Sequence, residues 1–475
     1  MTEVLPDNWE EVPLKSVVSK LVDGSHNPPK KQDSGKPMLS ARNIENNEIV
    51  FDTYRYIDPD DFEAEHKRTR VQPDDVLLTI VGTIGRAAVV SPGLQDFTLQ
   101  RSVAVLTPEG VLPKFLMYQL QAPHVQSYFE QNARGTAQKG VYLKTLGQTP
   151  VRVAPLADQK RIVSEIEKQF SRLDEAVANL KRVKANLKRY KAAVLKAAVG
   201  GKLTEEWRKA HPDVEPASKL LDRVLAERRA KWEEAELAKM EAKGKAPKND
   251  KWKAKHKEPV APDEVDLFDL PPNWTWVCLD SLLEGIEAGK SFKCDERPPN
   301  GGEVGVLKVS AVTWGTYDEH ESKTCTRDDY VNENLFVRRG DFLFSRANTI
   351  DLVGACVIAE DVSKRVMLSD KILRFTFARD LAQWVLFCLR SRLGRGEIEQ
   401  LATGNQESMR NIGQERIRRI RIPLPPEMEQ YEVVNEIERR LSVMHSLEAS
   451  INANLARAES MRQAILRQLF SPSAA

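Results

Sequence analysis

The sequence predicts an α+β protein made of two tandem α/β domains, each followed by a long α-helix, with the two helices pairing as an antiparallel coiled coil. Three observations carry this. The chain has 475 residues, too many for one hydrophobic core. It repeats itself: "LPDNW" from Leu5 returns as "LPPNW" from Leu270, 265 residues on, and "QKRIVSEIE" from Gln159 returns as "QYEVVNEIE" from Gln430, 271 residues on. In each copy the hydrophobic pattern changes from short β-rich runs to a long helical stripe.

The first α/β domain spans residues 1–155 and the second 266–425. In the first, "DDVLLTIVG", "AAVVS" and "RSVAVL" are rich in β-branched and apolar residues and are separated by Gly and Pro turns. In the second, "GVLKVSAV", "DFLFS", "GACVIA" and "ILRFTF" read the same way. The helical runs "PKFLMYQLQAPHVQSYFEQ" and "LAQWVLFCLRSRLGRGEIEQL" each precede a glycine-containing loop, "RGTAQKG" from Arg134 and "ATGNQES" from Ala402.

The long helices are expected over 156–202 and 426–475. Ile162, Ile166, Phe170, Leu173, Val177, Leu180, Leu187 and Val194 recur at threes, fours and their sums, and so do Ile437, Leu441, Met444, Leu447, Ile451, Leu455, Ala458, Ile465 and Leu469. A stripe this narrow over so many turns is a coiled-coil seam. Two such seams in one chain most simply bury each other, and a partner's helix is the alternative occupant. A helix of roughly 40 residues is about 60 Å long. Residues 203–265, highly charged and carrying seven lysines and one acid between Lys243 and Lys257, read as a partly helical, partly disordered linker.

Charge and composition narrow the function. The net charge is +2, yet eight Lys and Arg residues lie between Leu180 and Leu203 without an acid, a solvated helix face or a polyanion contact. The five cysteines all lie in the second half and form no CxxC pair, which fits a reduced cytoplasm. No secretory leader or membrane span is expected. Motifs that suggest catalysis are incomplete. "NPPK" from Asn27 has Lys30 where the base-flipping loop of adenine methyltransferases has Tyr or Phe. "GIEAGKS" from Gly285 has three residues between its glycines where a phosphate loop has four. The histidines lack paired metal-ligand spacing, so neither cofactor nor metal is expected. Two similar domains on a strut suit a ligand that repeats along an axis, and duplex DNA repeats its groove face about every 34 to 36 Å.

The segments "TPVRVAPLADQKRIVSEIE" from Thr149, "RRIRIPLPPEMEQYEVVNEIE" from Arg418, "FSRANTIDLVGA" from Phe344 and "RYKAAVLKAAVGGKLTEEWRK" from Arg189 give the chain its resemblance. It resembles the specificity subunit (HsdS) of type I restriction-modification systems over essentially its whole length. The resemblance implies two target recognition domains, and a chain that is no enzyme itself. It also implies double-stranded DNA, two methyltransferase (M) subunits and restriction/translocase (R) subunits as partners, and no membrane. A stand-alone DNA-binding regulator and a coiled-coil scaffold are the alternatives. Polar residues at turns and strand ends that the copies place alike are the expected DNA contacts: Lys30, Lys31, Arg42, Asn43, Thr83, Arg86, Arg134, Gln138 and Lys139 in the first domain, and Arg297, Lys308, Arg346, Asn348, Asn405 and Gln406 in the second. Arg suits guanine, Asn and Gln suit adenine, and Lys more often meets phosphate. For Arg346 and Asn348 a turn that caps the backbone is the alternative reading.

Overall fold

The computed structural model describes residues 5–6, 8–135, 138–244, 247, 249–263, 265–406 and 409–471. It divides into two compact units, residues 1–183 with 449–475, and residues 184–448.

In the first unit a four-stranded antiparallel sheet forms from β1 (Val18–Asp23), β2 (Val76–Thr79), β3 (Ala87–Val89) and β4 (Val103–Pro108), in the order β1-β4-β2-β3. β2 is buried on both faces, as its unbroken apolar run "VLLT" requires. A smaller sheet places Lys36–Leu39 between Arg55–Ile57, antiparallel, and Thr98–Leu99, parallel. Glu10–Pro13 pairs with Pro150–Val153 and closes the domain. Helices α1 (Pro59–Thr69), α2 (Pro113–Leu120) and α3 (Pro123–Asn132) each begin on a proline, whose missing N–H costs nothing at a helix start.

The second unit repeats this plan. Its four-stranded sheet runs β5 (Leu283–Ala288), β8 (Ile372–Phe377), β6 (Phe342–Ser345), β7 (Cys356–Ile358), the same order strand for strand. Gly305–Leu307 lies between Ser322–Thr324, antiparallel, and Val366–Met367, parallel. Thr275–Cys278 pairs with Arg421–Leu424. The motif "GIEAGKS" begins inside β5, so its first four residues are strand ladder and not a phosphate loop.

Two duplicated details show why the scaffold recurs. Asp75 accepts the amide of Gln72 at 2.9 Å, and Asp341 accepts that of Arg338 at 2.9 Å, so one aspartate turns the chain into the central strand in each copy. A Cβ on Gly24 would lie 2.2 Å from the carbonyl oxygen of Leu99, and one on Gly289 1.8 Å from that of Leu368. Both glycines are therefore required by close backbone approach.

The helices run Leu156–Val199 and Glu427–Phe470, 44 residues each. Both contribute to each unit. In the first unit Ile162, Ile166 and Phe170 share a core with Leu466 and Phe470. There Arg462 pairs with Asp174 and lies 4.7 Å over the Phe170 ring. In the second unit Leu195, Ala198 and Val199 share a core with Val433 and Ile437. The start of one helix thus meets the end of the other, an antiparallel pairing. Ile437, Met444, Ile451 and Ala458 are buried at steps of seven. Leu447, expected in this seam, is 48% exposed. A second line runs four residues on from Ile437, Ile451 and Ala458, through the half-buried Leu441, Leu455 and Arg462, whereas Leu447, three on from Met444, turns away.

The segment between the copies forms a 26-residue helix, Ala217–Ala242, which docks on the second unit through Ala217, Leu220 and Val224. Its approach is fixed by "GGKLTEEWRK". Thr204 Oγ1 donates to the buried Glu429 at 2.6 Å, Trp274 Nε1 donates to it at 2.8 Å, and Arg208 pairs with it at 3.4 Å. Lys245 and Lys248 of the lysine run lie outside the described residues.

Candidate nucleic-acid interface

In the first domain, backbone hydrogen bonds gather loops that are far apart in sequence onto one rim. Arg101 N donates to Ser25 O at 2.9 Å, Gln100 N to Leu39 O at 2.8 Å, Ile80 N to Ser102 O at 2.9 Å, and Gly82 N to Lys139 O at 3.0 Å. Ala41 N donates to Ser102 Oγ at 3.0 Å. The rim therefore collects the loop after β1, the turn at Ala41–Asn43, the β2–β3 turn, the entry to β4 and the loop 134–140. Among the expected contacts, Arg42, Thr83, Arg86, Arg134, Gln138 and Lys139 are exposed on these segments. Thr136 and Ala137 of the last loop lie outside the described residues.

The "HNPPK" loop is tethered at both ends. Ser25 Oγ donates to Glu65 at 2.7 Å, Arg55 Nη1 donates to Pro29 O at 2.5 Å, and Gln32 N donates to Tyr56 O at 2.9 Å. Lys30 and Lys31 stay exposed between the tethers. Asn43 is placed differently: it is buried, and its amide is spent within the domain. Its Oδ1 accepts from Ser40 N at 2.9 Å, and its Nδ2 donates to Val50 O at 2.9 Å and Thr53 O at 3.0 Å. Asn43 builds the turn that presents Arg42.

The second domain forms the same rim with other side chains. Arg346 N donates to Lys371 O at 2.9 Å, as Ile80 does to Ser102, and Ile412 N donates to Arg346 O at 2.9 Å, as Val141 does to Ile80. Ala347–Asn348 pairs with Met409–Asn411, which pairs with Thr403–Gln406, so Asn348, Asn405 and Gln406 lie on neighbouring strands. Arg346 is half-buried, with Nε 3.4 Å from Asn411 Oδ1, and Asn348 Oδ1 accepts from Thr349 N at 2.8 Å. Glu407 and Ser408 lie outside the described residues. The loop after β5 carries a second Pro-Pro pair, and Lys364 Nζ donates to Pro299 O at 2.8 Å, matching Arg55 on Pro29. Arg297 at this loop is held by both oxygens of Glu303, at 2.7 and 2.6 Å. That guanidinium, with the Asn300 amide, holds the Glu303 carboxyl down at about 2. Lys308 Nζ donates to Glu296 O at 3.0 Å.

Sequence reasoning missed Arg101 and Lys371. Arg101 is exposed at the centre of the first rim and makes no ion pair among the described residues. Lys371 is exposed at the entry to β8. Each immediately precedes a strong β run, "SVAVL" or "ILRFTF", and that position was the available signal. The rims are thus surfaces of donors and amides on rigid strand ends. Among the described residues no three His, Cys, Asp or Glu side chains gather as for a metal ion. No described helix is long and apolar enough to cross a membrane.

Residues 6–189 match the type I restriction modification DNA specificity domain, which takes in the first domain and most of the helix after it. The chain is 31% identical over 304 residues to the type I restriction enzyme EcoEI specificity subunit of Escherichia coli, covering 63% of this chain and 48% of that one. It is 22% identical over 484 residues to the EcoKI specificity subunit of Escherichia coli strain K12, covering 98% and 89%. The chain is similar to type I specificity subunits, most of all through its first domain and the helix after it. A solved chain from a type I R-M system aligns over 99% of both chains with a TM-score of 0.59 at 18% identity, a likeness of fold. The chain spans about half the length of the EcoEI and EcoBI subunits it matches, 48% and 49%. The family match ends at 189, and the duplicated sheet order extends the same domain plan to the second domain.

Proposed function

We propose that this chain is a type I specificity subunit that reads an asymmetric, two-part DNA site, one part with each domain, and docks two M subunits and the R subunits that perform methyl transfer, translocation and cleavage. The chain itself does no chemistry on this reading and takes no cofactor. The observation that carries it is the pair of rims: one scaffold, unlike side chains. Arg101 in the first rim stands where Asp370 stands in the second, and Arg86 where Ala355 stands. Equal frames with different donors address different base edges.

Arg86, Arg101, Arg134 and Arg346 then serve as guanine or phosphate donors, and Gln138, Asn348, Asn405 and Gln406 as adenine readers. Thr83 is a short-range contact. Lys30, Lys31, Arg42, Lys139 and Lys371 meet phosphate. Arg297 reaches phosphate by leaving Glu303, and Lys308 by leaving a carbonyl.

The test is footprinting of the full chain with an adenine methyltransferase subunit on a split site. Arg101→Ala should cost about 1–3 kcal/mol, about 5- to 150-fold in affinity, and relax one half-site only; Arg346→Ala should do so at the other half-site. Lys139→Ala should weaken all sequences alike and lower the salt slope by about one. If both arginine variants weaken both half-sites equally, the division of labour is refuted. A regulator or scaffold would instead give no footprint that depends on the methyltransferase.

A further inference from the structure

We infer that Cys294 and Cys325 are an oxidation site: a facing thiol pair that closes to a disulfide in the folded chain when a small disulfide oxidant such as oxidised glutathione is supplied. Asp295 and Thr324 face each other as an isolated antiparallel bridge and exchange both backbone hydrogen bonds, Asp295 N to Thr324 O at 3.0 Å and Thr324 N to Asp295 O at 2.9 Å. The next pair out on one side is Cys294 opposite Cys325. Directly opposed residues next to a hydrogen-bonded pair are a non-hydrogen-bonded pair, with Cα atoms about 4.5 Å apart. A disulfide spans Cα separations of about 4.4–6.8 Å, so closure needs no backbone movement.

The side chains confirm this register. Glu296 and Lys323, the opposed pair on the other side of the bridge, form an ion pair at 2.6 Å. Residues 294 and 296 point to the same face of their strand, as do 323 and 325, so the thiols face each other as the charges do. Cys325 Sγ donates to Arg327 O at 3.4 Å. Both thiols are free and half-buried, whereas Cys278, Cys356 and Cys388 are only 2%, 0% and 1% exposed. An oxidant in solution therefore reaches the pair and not the other three. Burial, and after it the neighbouring thiol, raise the Cys294 thiol above the ordinary range, which lowers its thiolate fraction and slows its attack on an oxidant.

The chemistry balances. One cysteine thiolate attacks a sulfur of oxidised glutathione, breaking its S–S bond and expelling one glutathione thiolate. The second cysteine thiolate then attacks the protein sulfur of that mixed disulfide and expels the other. The two cysteine protons end on two glutathione thiols, and two electrons pass from the protein to the oxidant. The new bond would tie the loop that carries Arg297 to the strand Ser322–Thr324 at its foot. The inference is measured on the chain alone and stands apart from any DNA reading.

The test treats the native full-length chain with oxidised glutathione, then blocks remaining thiols in denaturant and maps peptides without reduction. Expected are a mass lower by two hydrogens, one cross-linked peptide joining Cys294 to Cys325, and blocked thiols at the other three cysteines. Cys325→Ser should yield no bridge, with Cys294 either free or carrying one glutathione. Retention of all five thiols in the wild type, glutathione on either cysteine without closure, or a bridge to any other cysteine would overturn it.

Discussion

Replacing Glu429 with alanine should lower stability more than any surface change in this chain. Its side chain is fully buried and holds three donors: Thr204 Oγ1, Trp274 Nε1 and the Arg208 guanidinium. These come from the segment after the first long helix and from the start of the second domain, while Glu429 itself opens the second long helix. Removing it strands one buried hydroxyl, one indole N–H and one cation. Breaking a buried charge pair from one side costs about 3–5 kcal/mol. Arg208 keeps the carbonyl of Gly201, at 3.1 Å from Nη1, which offsets part of that loss, while the two neutral donors each add about 1–3 kcal/mol. These terms sum to about 5–11 kcal/mol and the retained bond offsets about 2, so a net loss of about 3–9 kcal/mol follows, or a melting temperature lower by about 6–36 °C for a unit of this size. Calorimetry of the full chain measures it as a shift of the unfolding transition. Glu429→Gln keeps one acceptor and should recover part of the loss. Trp274→Phe in the Glu429→Ala background should add less than it does alone, because the two share one contact. If Glu429→Ala melts within about 2 °C of wild type, the assignment of this cluster as the clasp is refuted.

Phe470→Ala should destabilise the first unit by about 3–5 kcal/mol, read as a shift in its unfolding transition, because Phe470 is fully buried with its ring 5.2 Å from that of Phe115. Gly24→Ala and Gly289→Ala should each prevent soluble expression or sharply lower the melting temperature, since a methyl has no room beside Leu99 O or Leu368 O. Arg439 and Arg440 hold the Glu436 carboxyl down at about 2, so its folded form favours the anion. That contribution is complete above the usual carboxylate range and is lost as pH falls from about 4.5 toward 2. Glu436→Gln should melt below wild type at neutral pH, with the gap closing in acid.

The duplication and the long helices were legible because they are written in local pattern. Repeated words such as "LPDNW" and "LPPNW" located the two domains, and apolar residues at seven-residue steps located the helices. What the sequence hid depends on three-dimensional register. Asn43 looks like a surface amide at a turn, and only the fold shows that its amide is consumed by Ser40, Val50 and Thr53. Leu447 fits a spacing of threes and fours as well as Met444 does, and the choice between them belongs to the facing helix. Arg101 carries no motif; it becomes prominent because hydrogen bonds to Ser25 and Ile80 bring three distant loops beside it.

The first compact unit is completed by residues from the far end of the chain: Leu466 and Phe470 line its core, and Arg152 Nη1 donates to Ser471 Oγ at 2.7 Å. A ribosome emits the N-terminal part of that core long before these closing residues. The amino-terminal half must therefore wait, with apolar surface uncovered, until the end of the second long helix has been made. A chain cut short by a nonsense codon would leave that half unfinished, and proteases would find it.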